Sequence, residues 1–99
     1  MTSTNKMRCK SVISHYGTDK QSLKACEELA ELIRSISKLR FKLSDENVEN
    51  LKEEIADVEI MIEQMKHLYN VSDEEIDRIV EQKLDRTFKR IEEEVKNGI

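Results

Sequence analysis

The 99 residues carry 17 Lys and Arg against 21 Asp and Glu, a formal net charge of −4, and 38% of the chain is charged. That balance excludes a surface built to neutralise many phosphates of a nucleic acid polymer, while leaving room for a single nucleotide with its own cations. Aromatic residues make up 4%, with no Pro, no Trp and two Gly, which excludes turn-rich β architectures in favour of an all-α fold.

The length predicts one domain over 1–99, too small to bury much of its own surface, so association is expected. Cys9 and Cys26 form no CxxC pair and fit reduced thiols. No run of about 18 apolar residues and no signal-peptide core is present, so the sequence points to a cytoplasmic chain without a membrane partner.

Residues 1–14 are polar and basic, with Lys6, Arg8 and Lys10 around Met7, Val12 and Ile13, and read as a flexible arm or a short helix. Gly17 breaks the pattern, and Thr18 or Asp19 is placed to cap a helix from about Lys20 to Leu43. Ala25, Leu29, Leu32, Ile36, Leu39 and Leu43 recur there at three- and four-residue steps, which predicts one buried face. Ser44 and Asp45 punctuate before a second long helix reaching about Tyr69, with a seam of Val48, Leu51, Ile55, Val58, Ile62, Met65 and Tyr69. Ser72 and Glu75 form a capping-box signature for a third helix carrying Ile76, Val80, Leu84, Phe88, Ile91 and Val95, with Gly98 as its C-cap. The expected architecture is an antiparallel bundle of three main helices plus the N-terminal arm or helix, its four-helix core completed by dimerisation.

Most acids of such a protein face water, so direction decides which ones matter. At about 100° per residue, Glu49, Lys52, Glu59, Glu63 and Lys66 make the charged face of the second long helix, and Glu54 and Asp57 fall roughly 160° away from it. Their neighbours one turn away include no cation. Carboxylates turned into a bundle without a partner must be neutralised by something else. On the preceding helix Glu28 and Glu31 share one face with Gln21, Lys24, Ser35 and Lys38, and a short connection makes the two helices antiparallel. The hairpin is expected to bring Glu28, Glu31, Glu54 and Asp57 level with one another. A hard divalent cation, Mg²⁺ with Mn²⁺ as the alternative, is the natural counter-charge for such oxygens. Neither His15 nor His67 has the spacing of a zinc site.

The segments Glu27-Glu28-Leu29-Ala30-Glu31 and Glu53-Glu54-Ile55-Ala56-Asp57 resemble the ExxE and ExxD signature of the MazG-like all-α nucleoside triphosphate pyrophosphohydrolases. The resemblance runs from about His15 to Ile91. It implies Mg²⁺-dependent hydrolysis of a nucleoside triphosphate to the monophosphate and pyrophosphate, a nucleotide-pool house-cleaning reaction. It further implies that Glu28, Glu31, Glu54 and Asp57 hold metal, with Glu31 also orienting or deprotonating the water. Lys83 and Arg86 resemble a basic patch on the last helix of relatives, and Lys38 extends the acidic stripe, so these three are the candidates for phosphate contacts. The same fold family holds phosphoribosyl-ATP, dUTP and dCTP pyrophosphohydrolases. A different class of reading is a non-catalytic helical oligomerisation module. Under either, a homodimer or homotetramer is expected.

Overall fold

The computed structural model describes residues 1–98 and consists of four α-helices: α1 (Ser3–Tyr16), α2 (Thr18–Phe41), α3 (Asp45–Leu68) and α4 (Asp73–Lys96). Local chemistry sets each boundary. The Thr2 hydroxyl accepts from the amide of Asn5 at 3.1 Å and starts α1, so the basic N-terminal segment is a full helix rather than an arm. Gly17, at φ 87°, then turns the chain where a side chain would strain it. Its N–H closes α1 on the Ile13 carbonyl, and its own carbonyl receives the amide of Gln21 in α2. Ser44 caps α3 through the amide of Asn47, while Asn47 Nδ2 donates back to the carbonyl of Lys42, 2.8 Å away, and tightens the α2–α3 connection. The capping box predicted at Ser72 and Glu75 is formed in both directions. Asn97 is the C-cap of α4, with Gly98 following at φ 74°.

Helices α2 and α3 make the main packing interface as an antiparallel hairpin, and α1 lies against α3 and more lightly against α2. The seam keeps Ala25 and Val58 of the expected stripes and shifts to one side of them elsewhere. Gln21, Ala25 and Ser35 of α2 and Val58, Met61 and Gln64 of α3 are buried, whereas Leu29, Ile36, Ile55, Ile62 and Tyr69 are exposed. The cause is that two neighbouring stripes on each helix share the three- and four-residue period. The pair packs on the stripe with the small residues Ala25 and Ser35 and the mutual amide bond of Gln21 and Gln64, where the backbones can approach closely.

Glu63, expected on the charged face, is buried at 6% exposure. Its Oε2 lies 2.6 Å from Nε2 of His67, with Lys66 Nζ 3.8 Å from Oε1. Helix α1 covers this side of α3, a consequence invisible while residues 1–14 could still be an arm. By contrast α4 buries no residue. Asp73 anchors its first turn, pairing with Lys6 of α1 at 2.6 Å and Lys66 of α3 at 2.8 Å, and the rest of the helix runs clear of the hairpin. No helix among the described residues is long and apolar enough to cross a membrane.

Candidate metal centre

The hairpin register puts Glu28 of α2 opposite Glu54 and Asp57 of α3. One carboxylate oxygen from each of the three lies within 4.8 Å of the others. Glu28 is largely shielded, its side chain 16% exposed, and one of its oxygens meets Nζ of Lys24 one turn earlier at 3.2 Å. Glu54 is half-buried, and its Oε2 is buried outright with no hydrogen-bond partner among the described residues. An orphaned carboxylate oxygen facing two further carboxylates is an arrangement that folding alone does not favour.

The electrostatics record that tension. Withdrawal from water is the first cause that raises the pKa of Glu54, followed by the charges of Asp57, Glu31 and Glu28. Asp57 is raised for the same leading reason, then by the charge of Glu28 and a hydrogen bond to it, with the Lys24 ammonium acting in the opposite direction. Without a cation the crowded carboxylates therefore bind protons more readily than isolated ones do.

Of the four predicted metal ligands, the structure gathers Glu28, Glu54 and Asp57. Glu31 stands apart from that convergence: both its oxygens are engaged by Arg34 Nη1, at 3.1 and 3.3 Å. Its charge is still near enough to raise Glu54. Lys38 is exposed one turn beyond Arg34, and Lys83 and Arg86 are exposed on α4, away from the hairpin. These three form no ion pair among the described residues. The acids next in sequence, Glu27 and Glu53, face solvent.

Two neighbours went unassigned in the sequence. Lys24 is the cation closest to the cluster, and its signal was present as a Lys four residues before Glu28. Ser35 is 2% exposed with an unpartnered hydroxyl, one turn from Glu31, on the stripe that the sequence spacing gives to Glu28 and Glu31.

Three carboxylates supply hard oxygen donors and no nitrogen or sulfur, which suits Mg²⁺ or Mn²⁺ and disfavours zinc. Opposite ligands of Mg²⁺ stand about 4.2 Å apart at Mg–O distances of about 2.1 Å. A cation across the 4.8 Å spread would need only small side-chain rotation and would offer a partner to the Glu54 carboxylate, whose Oε2 lacks one among the described residues. Comparison with protein families, curated proteins and solved structures finds no match to this chain.

Proposed function

We propose that this chain is a divalent-metal-dependent nucleoside triphosphate pyrophosphohydrolase of the MazG-like kind, with Mg²⁺ held by Glu28, Glu54 and Asp57. The observation that carries the reading is the buried, unpartnered Oε2 of Glu54 among like charges. Bound there, Mg²⁺ supplies charge neutralisation of the phosphates and a lowered pKa for a coordinated water. Glu28, Glu54 and Asp57 fix the ion against the α2–α3 seam. Glu31, one turn from Glu28, would orient the attacking water or accept its proton, a role that requires Arg34 to release its carboxylate. Lys38 extends the same stripe of α2 and can meet the far phosphates, whereas Lys83 and Arg86, on α4 away from the hairpin, have no phosphate contact to offer within the same chain.

The competing reading is a helical interaction module without catalysis, which requires the inward acids to be satisfied by protein cations. Lys24 satisfies part of Glu28, yet Glu54 Oε2 has no such partner among the described residues. That difference favours the enzyme. A panel of nucleoside triphosphates, including dUTP, dCTP and non-standard bases, together with phosphoribosyl-ATP, assayed for released pyrophosphate with Mg²⁺ and with Mn²⁺, tests it. Metal-dependent turnover on at least one substrate, abolished in Glu54→Gln, is expected. No turnover on any, with metal leaving the protein's stability unchanged, rejects it.

A further inference from the structure

A cleft of about 560 Å³ opens where the second half of α1 and the first half of α2 meet α3. That volume lies in the range of small-molecule sites, about 300–1,000 Å³. Val12, Leu23, Ile60 and Met61 wall it, and Tyr16 stands at its side, half-exposed. Lys20 also lines the cleft and holds its Nζ 4.9 Å over the Tyr16 ring, so that face of the ring looks into the cleft. A flat aromatic face beside apolar side chains is a surface on which a nucleobase stacks.

The polar part of the lining is more selective. Gln21 and Gln64 both line the cleft, although they are only 5% and 1% exposed. Their mutual bond uses one N–H of Gln21 and the Oε1 of Gln64, and Oε1 of Gln21 and Nε2 of Gln64 make no other hydrogen bond among the described residues. A nearly buried acceptor and donor left side by side call for a partner that brings the complementary pair. Every nucleobase carries a donor beside an acceptor on its Watson–Crick edge.

The cleft also adjoins the carboxylates. Lys24 lines it and reaches Oε1 of Glu28 at 3.2 Å, and Ile60 stands one turn beyond Asp57 on α3. From Gln21 to Glu28 is two turns, about 10 Å along the helix. A nucleotide whose base meets the amides therefore extends its phosphates past the Lys24 ammonium toward the metal centre.

We propose that the Gln21–Gln64 pair is the base-reading element of the site, with Tyr16 as its stacking platform, and that it takes amino and keto bases alike. The assignment rests on the hydrolase reading for the identity of the ligand, and its breadth follows from the amides themselves. When both side-chain amides turn over together, Gln64 Nε2 donates to Gln21 Oε1, the mutual bond survives, and the unused donor and acceptor exchange places. Adenine and cytosine present an exocyclic amine, guanine and uracil a carbonyl, so one reversible pair meets both classes.

Titration calorimetry on the full chain with AMP, GMP, CMP and UMP, and separately with inorganic tripolyphosphate in Mg²⁺, tests this. The four monophosphates are expected to bind within about 10-fold of one another, because a fixed donor and acceptor would reject the wrong class by far more. Tyr16→Ala is expected to weaken all four by about 10-fold, the loss of one base–aromatic stack, and Gln21→Leu with Gln64→Leu by a similar factor. Tripolyphosphate is expected to bind both variants within about twofold of the wild type, since its contacts lie elsewhere. Equal weakening of tripolyphosphate and monophosphates, monophosphate affinities indifferent to both variants, a gap wider than about 10-fold between amino and keto bases, or no monophosphate binding at millimolar concentration overturns the proposal. Metal-dependent pyrophosphate release in a chain whose monophosphate affinities ignore both variants rejects the base site and leaves the hydrolase standing. Monophosphate binding that needs Tyr16 and the amide pair, in a chain that neither responds to Mg²⁺ nor turns over, supports the base site and rejects the hydrolase.

Discussion

Nε2 of Gln21 donates to Oε1 of Gln64 at 2.8 Å inside the hairpin, and this buried bond fixes how α2 slides against α3. Two turns on from Gln21 stands Glu28, and two turns back from Gln64 stands Asp57. In antiparallel helices those equal steps arrive at the same level, so an amide pair far from the acids sets their meeting.

Breaking the pair is expected to be costly in an asymmetric way. Gln64→Ala leaves the Gln21 amide buried without a partner and should lower unfolding free energy by about 1–3 kcal/mol. Gln21→Leu with Gln64→Leu removes both polar groups and should cost less than the sum of the single changes. Urea unfolding followed by circular dichroism decides it, and strict additivity would show that the pair does not set the register.

Glu54→Gln should have effects of opposite sign with and without metal. In metal-free protein at neutral pH it removes one of the crowded negative charges, so the melting temperature should rise. In Mg²⁺ it should reduce turnover by about 100-fold or more, beyond what losing a group that merely supports a ligand costs. A variant that melts like the wild type in both conditions would count against a metal centre at this position.

Withdrawal of metal gives a third expectation. Mg²⁺ at about 100 times its dissociation constant adds roughly 2.7 kcal/mol to the folded state, which for a domain of this size raises the melting temperature by about 10–20 °C. Chelation should reverse the shift. Equal melting curves with Mg²⁺ and with chelator would exclude the proposed site.

The pH dependence of the metal-free protein has two limbs. Glu54 and Asp57 have folded pKa values above their ordinary 4.5 and 3.8, so the native state holds their protons more tightly. Their contribution to stability is greatest in acid and declines as pH rises through the interval from those ordinary values to the raised ones. Asp73 behaves oppositely: its hydrogen bonds to Lys6 and Lys66, reinforced by their charges, bring it down to about 2 from 3.8. Its contribution is present above the ordinary value and is lost as pH falls toward about 2. Thermal melts from pH 2 to 7 without metal should therefore lose the acid limb in Asp73→Asn and the Glu54 share of the upper limb in Glu54→Gln, the Asp57 share remaining. A profile unchanged in either variant would refute the corresponding assignment.

The helical class, the position of three of the four helices and the capping box at Ser72 followed from residue type and spacing alone, because propensity, capping and the 3.6-residue period act within a turn or two of the chain. The inward turn of Glu54 and Asp57 was legible for the same reason. What tertiary structure decided was which of two equally periodic stripes became the seam. That choice depends on how closely two backbones can approach at Ala25 and Ser35 and on the Gln21–Gln64 bond, and both are properties of a pair of helices. The burial of Glu63 beneath α1 and the solitary course of α4 belong to the same class: each depends on which side chain finds which neighbour in three dimensions, and periodicity along one helix carries no information about that.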